Sequence, residues 1–190
     1  MKRCAWANAS LLEQIYHDKE WGIPIHDDRL LFEFLILEAA QAGLSWSTIL
    51  KKRKGYRKAY DNFEATKIAN YSSIKMAELL STPFIIRNKL KINSAKVNAN
   101  AFLEVKAEFG SFDAYIWQFV DGSPIQNTWR DSSDIPVSTQ DSYMMSKDLK
   151  ERGFKFVGPK MCYAFMQAVG MVNDHLLTCY RYHKIKQMSE

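Results

Sequence analysis

The chain has 190 residues, 47% of them hydrophobic and 13% aromatic, with a formal net charge of +5 and a pI near 9.0. That length supports a substantial core in one domain over 1–190, no run of 18 apolar residues is available for a membrane span, and the basic balance favours a polyanionic partner without naming one. Three cysteines, Cys4, Cys162 and Cys179, argue against a disulfide framework and leave metal binding open. The segment Met1–Trp6 lacks the apolar stretch of a signal peptide, so the expected location is the cytoplasm, with no membrane partner.

In chain order, Ser10-Leu11-Leu12-Glu13 has capping-box spacing and starts a short helix through Tyr16 and His17. Asp27 or Asp28 caps a helix with Leu30, Leu31, Phe34, Leu35, Leu37 and Glu38, ending near Gly43. Ser45 caps the next, to Tyr60, whose Lys51, Lys54 and Lys58 share one face that reads as solvated. A short helix covers 74–80. A long one runs over 87–109, with Leu90, Ala95, Val97, Ala101 and Phe102 as its core candidates. Ser111 caps 112–120, and 121–136 reads as a long loop. Helices follow over 143–151 and from Pro159 to Gly170. A last helix is expected over 172–182, with a fraying basic tail. There is no useful period-2 run and no internal repeat, so the class is all-α.

Three groups of residues carry chemistry. In Leu37–Trp46, Glu38 is a carboxylate at the end of an apolar run, where acidic side chains are rarely buried without a partner. Leu44 places an apolar side chain at the corner after Gly43. Glu38 also fits a partly exposed helix carboxylate. The turn 152–160, with Gly153, Lys155, Gly158 and Lys160, resembles the hairpin of helix-hairpin-helix DNA-binding motifs. There backbone N–H groups at a helix start bind phosphate, although a plain helix corner with a glycine cap fits equally. Cys4 and His17 near one end, with His175 and Cys179 at i and i+4 near the other, form a set that suits tetrahedral zinc. Four such residues standing apart would look the same in sequence. Cys162 reads as core.

Taken together, R-C-A-W at 3–6, Y-H-D-K-E-W-G at 16–22, L-F-E-F at 31–34, L-E-A-A-Q-A-G-L-S-W at 37–46, I-L-K-K-R at 49–53, R-G-F-K-F-V-G-P at 152–159 and N-D-H at 173–175 resemble the DNA-3-methyladenine glycosylase I family of bacterial alkylation repair. The likeness is weakest over 61–135. It implies a helix-hairpin-helix glycosylase fold whose chain ends are joined by one structural zinc on Cys4, His17, His175 and Cys179. It also implies a base pocket lined by Glu38, Tyr16, Trp21 and Trp46, with Trp6 close by. The family often carries an aromatic residue where Glu13 stands, so Glu13 is left outside the site, with capping as its role.

The function implied is hydrolytic excision of 3-methyladenine from alkylated double-stranded DNA, by a monomer that releases the free base and leaves an abasic site. A target base must leave the stack to be reached. Leu44 would wedge the gap, with Gln41 and Gly43 beside it. Tyr16 and Trp46 would sandwich the base, and Glu38 would accept from its edge and favour its positive charge. Lys155, Gly158 and Lys160 would hold phosphate. Asp174 reads as a partner of His175 or a helix cap rather than a catalytic base, and no lysine stands out as a Schiff-base nucleophile. The competing readings are a non-catalytic helix-hairpin-helix DNA-binding module, a zinc hydrolase, which needs an open coordination position, and a plain helical interaction domain.

Overall fold

The computed structural model describes residues 1–188. Its helices are α1 (Leu11–Lys19), α2 (Asp28–Gln41), α3 (Trp46–Ala59), α4 (Ala65–Ala69), α5 (Ser73–Ser81), α6 (Lys89–Phe109), α7 (Phe112–Trp117), α8 (Gln140–Glu151), α9 (Pro159–Ala168) and α10 (Tyr182–Gln187). Most of the expected starts rest on side-chain caps: Ser10, Asp27, Ser45, Ser111 and Thr139 each accept from an N–H of the first turn. Pro159 opens α9 at a position whose N–H has no helical partner to lose. Among the described residues, no helix is long and apolar enough to cross a membrane.

The centre of the core is α2. Every residue from Leu31 to Ala40 is buried, because α3, α6, α7 and α9 pack around it. Two of those residues are glutamates. Glu33 is fully buried but neutralised: Arg53 Nε donates to its Oε1 at 2.6 Å and Arg57 Nη2 at 2.8 Å. Arg53 also reaches Glu20 and lies over the Phe34 ring at 4.9 Å. This network fixes the roll of α3 against α2, which decides where Glu38 and Trp46 face.

Three sequence expectations are corrected. On α6, Leu90 and Val97 are exposed, at 69% and 40%, while Ile92, Ala95, Ala99, Phe102 and Val105 form the buried stripe. That stripe keeps helical spacing; Leu90 lies in the first turn, on the solvent side of the Asn88 cap.

The expected helix over 172–182 does not form. Val172–Asn173 (β2) pairs in parallel with Ile125–Gln126 (β1), inside the segment read as loop. Asn173 Nδ2 donates to Gln126 Oε1 and to the Tyr182 carbonyl, locking the extended backbone. The last helix, α10, occupies 182–187, where a fraying tail was expected.

The Glu33 network gives a direct test. Glu33→Ala leaves Arg53 buried without its main counter-charge, so unfolding in urea should show a loss of about 3–5 kcal/mol. A loss below about 1 kcal/mol would show that the network does not hold α2 to α3.

Candidate active site and metal centre

A cavity of about 600 Å³ opens between α1, α2, α3 and α9. Trp6, Tyr16, Trp21 and Trp46 form its aromatic walls, and Glu38 and Gln41 come to it from α2. The aromatic and acidic residues that the resemblance grouped thus share one cavity. Tyr163, Gln167, Lys160 and Ala164 enter from α9, and Ser132, Ile135, Pro136 and Val137 close one side. None of this last group except Lys160 was foreseen, because helical spacing gives a core face no label distinguishing it from a cavity face. Glu13 also lines the cavity. The capping box expected of it is half formed: its N–H donates to Ser10 Oγ, while its carboxylate accepts from the Ser10 hydroxyl at 2.8 Å rather than from the Ser10 N–H.

The aromatic geometry differs from the sandwich expected. Tyr16 and Trp46 rings are 5.3 Å apart and tilted by 50°. A base between two parallel rings needs two stacking gaps of about 3.4 Å each, so this contact does not admit one. A flat ligand here stacks on one face and meets ring edges elsewhere, as Trp6 meets Trp21, at 5.1 Å and 78°.

Glu38 is 5% exposed. Burial alone pushes its carboxyl from an ordinary value of 4.5 up to about 8. Tyr16 beside it is held far above the usual phenol range, by burial first and then by the Glu38 charge. The cavity thus holds a carboxyl poised to ionise when positive charge arrives.

After α2 the chain turns at Ala42–Ser45. Gly43 takes φ of +78°, a left-handed conformation that suits glycine. Leu44 stands 40% exposed at the corner. Lys91 on α6 donates to the carbonyls of Ala40 at 2.9 Å and Ala42 at 2.6 Å, tying the corner down; nothing in the sequence linked these segments.

Residues 152–158 join α8 to α9. Phe154 and Val157 are buried and anchor the turn, Phe156 is 38% exposed at its tip, and Lys155 and Lys160 are exposed. The Lys155 N–H is occupied within the protein: Asn98 Oδ1 accepts it at 2.7 Å while Asn98 Nδ2 donates to the Lys155 carbonyl. The open N–H groups are those at the start of α9, where Gly158 offers no side-chain cap. The solvated reading of Lys51, Lys54 and Lys58 fits, since all three are exposed.

Cys4, His17, His175 and Cys179 are all buried, with one donor atom from each within 4.8 Å of the others. Cys179 Sγ is 3.4 Å from His17 Nε2 and 3.5 Å from His175 Nδ1, and Cys4 Sγ is 3.8 Å from His175 Nδ1. The edges of a tetrahedron with metal–sulfur and metal–nitrogen bonds of ordinary zinc length are about 3.3–3.8 Å, so the set fits such an ion. Each imidazole is turned correctly by an outer partner. His17 Nδ1 donates to Asp18 Oδ1 at 2.9 Å and His175 Nε2 to the Trp21 carbonyl at 3.1 Å, so the other nitrogen of each faces the cluster. Arg3 grips Asp18 through three contacts and holds its carboxyl well below the usual range. The i,i+4 helical spacing expected for His175 and Cys179 is absent. Cys179 is positioned by a turn, with its N–H on the Leu176 carbonyl at 2.7 Å.

The family model for methyladenine glycosylase matches residues 6–182. The chain belongs to the methyladenine glycosylase family. It is 44% identical over 179 residues to DNA-3-methyladenine glycosylase 1 of Escherichia coli (strain K12), covering 94% of this chain and 96% of that one. It is 42% identical over 177 residues to DNA-3-methyladenine glycosylase of Haemophilus influenzae, covering 93% and 96%. A crystal structure of 3-methyladenine DNA glycosylase I matches at a TM-score of 0.92 with 45% identity, over 94% of this chain and 98% of that one. A Staphylococcus aureus enzyme, solved to show how it recognises 3-methyladenine, matches at 0.91 with 35% identity, over 95% and 96%. The helical fold of this glycosylase is thus that of its solved relatives.

The Glu38 burden has a sign that can be checked. Its folded value is raised, so the native glycosylase binds this proton more tightly than the unfolded chain does. The cost to stability is absent below pH 4.5, grows as pH rises to about 8, and is constant above. Glu38→Gln should therefore leave urea stability near wild type at pH 4.5 and raise it by on the order of a few kcal/mol at pH 9. Equal effects at both pH values would contradict the burial of an uncompensated carboxyl.

Proposed function

We propose that the chain is a monofunctional DNA repair glycosylase. It flips 3-methyladenine out of alkylated double-stranded DNA and hydrolyses its bond to the sugar, releasing the free base and leaving an abasic site. The observation that carries this reading is Glu38, buried with its carboxyl near neutral titration in an aromatic cavity, in a chain of a family whose relatives bear that name.

N3-methylated adenine is positively charged while attached to the sugar, so it is already a good leaving group. Leu44 enters the stack where the base departs, with Gln41 and Gly43 at the same corner. The base enters among Trp6, Tyr16, Trp21 and Trp46, where stacking contributes roughly 1–3 kcal/mol per base. Its charge favours the ionised form of Glu38, whose proton passes to solvent, and the resulting anion holds the cation at its exocyclic edge in a site where attraction is poorly screened. A neutral adenine leaves the carboxyl protonated and gains nothing from it, which is the discrimination. Water then adds to the sugar carbon as the base leaves with the bonding electron pair. The open N–H groups of Gly158 and α9, with Lys155 and Lys160, hold backbone phosphate in the manner of a helix-hairpin-helix.

Cys4, His17, His175 and Cys179 hold one structural zinc. Two thiolates match its charge, and four protein donors leave no position for a reacting water, which separates this site from a zinc hydrolase. A non-catalytic DNA-binding module has no use for an uncompensated carboxyl among aromatic rings. The enzyme works as a single-domain monomer in the cytoplasm.

The deciding experiment is base release from methylated duplex DNA, with the released base identified. Wild type should release 3-methyladenine, and Glu38→Gln should lose on the order of 10²-fold in rate; no release by wild type, or undiminished release by the variant, removes the reading. In wild type, kcat/KM should climb with pH and level off near 8, following ionisation of the free enzyme, while kcat stays flat to lower pH because bound cation already ionises the group. Metal analysis should find about one zinc per chain, and Cys4→Ser should lose it together with several degrees of Tm. A metal-free protein of unchanged Tm would exclude the clip. Replacing Lys155 and Lys160 with Ala should weaken DNA binding and flatten its salt dependence by nearly two units of slope; indifference to both changes would remove the hairpin from the phosphate track.

A further inference from the structure

The inner wall of the cavity carries a polar arrangement that the mechanism above does not use. Asp174 is fully buried and accepts four hydrogen bonds. Its Oδ1 accepts from Asn127 Nδ2 at 2.7 Å and Trp129 Nε1 at 2.8 Å, and its Oδ2 from the Tyr163 hydroxyl at 2.6 Å and Gln167 Nε2 at 2.8 Å. A carboxylate offers about four lone-pair positions, and all are taken. Indole N–H can only donate, and with every position filled the carboxylate is an acceptor toward each neighbour.

This settles which way Gln167 points. The two ends of a carboxamide are nearly alike in shape, and the partner decides which faces it. Against an acceptor-only carboxylate the NH2 end must turn inward. Oε1 is then the end left for the cavity, which both Gln167 and Tyr163 line. The two residues stand at i and i+4 on α9, on one face. The backbone is fixed too, since the Gln167 carbonyl accepts from Gly22 N at 3.2 Å. Glu38 can donate or accept according to its proton, whereas Gln167 Oε1 can only accept.

We propose, resting on the function proposed above, that Gln167 is a specificity-determining residue. Its Oε1, held as a pure acceptor by Asp174, takes a hydrogen bond from the exocyclic amine of the flipped N3-methylated base. A base with oxygen at that position sets two acceptors face to face with no proton between them, so it is rejected.

The test uses full-length, metal-loaded protein and two free bases, 3-methyladenine and 3-methylhypoxanthine, which carries oxygen in place of the amine. Affinities are read from quenching of tryptophan fluorescence. Wild type should prefer 3-methyladenine by about tenfold or more. Gln167→Met should weaken 3-methyladenine by about tenfold and leave 3-methylhypoxanthine unchanged or tighter, with circular dichroism confirming the fold. Asp174→Asn, which frees the amide to turn, should narrow the same preference and serves if the Met variant does not fold. Equal weakening of both bases by Gln167→Met means a packing role and overturns the proposal, as does an unchanged ratio or a wild type without preference. Wild type that binds neither base and releases none from methylated duplex overturns the function itself. Wild type that binds and excises, with a ratio indifferent to Gln167, overturns this inference alone.

Discussion

Keeping the Glu38 carboxyl out of water, with no cation set beside it, is the constraint on which the rest of the structure turns. The contrast with Glu33 on the same helix shows that this is a choice of position rather than of residue type. Glu33 is as deeply buried, yet it receives two guanidinium groups, from Arg53 and Arg57. Glu38 stands five residues on, faces the cavity, and is shifted by burial alone. A buried charge without a partner is costly, and the side chain meets that cost by keeping its proton. One glutamate thus locks α2 to α3, and the other retains an unsatisfied demand for positive charge. The first makes the second possible, because Arg53 fixes the helix roll that points Glu38 and Trp46 to the same space.

The cluster of Cys4, His17, His175 and Cys179 serves the same end by geometry. Its residues alternate along the chain with those of the cavity, Cys4 with Trp6 and Tyr16 with His17, while Asp174 beside His175 holds the cavity residue Tyr163. Trp21 belongs to both, since its ring lies 4.6 Å from the His175 ring and its carbonyl accepts from His175 Nε2. Gly22 next to it has φ of +81°, and a side chain there would meet His175 Nε2 at 3.2 Å. Aromatic walls carried on a short first helix and a segment with little regular structure need an anchor of this kind.

Local chemistry was legible in the sequence and long-range pairing was not. Caps at Ser10, Asp27, Ser45 and Ser111 act within three residues, so their spacing is their geometry. The aromatic and metal residues were grouped by resemblance, and their spacing alone could not have done it. The segment 172–182 misled because Val172, His175, Leu176 and Cys179 keep helical spacing, while the backbone is claimed by β1, 47 residues away. Leu90 and Val97 misled for a related reason: an apolar residue on a long helix does not say which neighbours it meets. Asn98, Lys91 and Gln167 carried no signal, since a polar residue on a helix reads as solvent-facing until a partner is known.

Asp174 bears on how little general-base chemistry the cavity offers. An aspartate behind α9, next to the cavity, is where a group to activate water would be sought. Its four lone-pair positions are filled by Asn127, Trp129, Tyr163 and Gln167, and a carboxylate so saturated has no position from which to take a proton from water. With Asp174 committed to orienting its neighbours, the proposed mechanism gives the flipped base to Glu38, the buried carboxyl of the cavity, whose attraction is for the base and not for the water. On that view the acceleration comes from holding a cationic leaving group in place against an anion, and the reactivity is supplied by the lesion. On the same view an undamaged purine, which lacks that charge, is left intact by the cavity that binds the lesion.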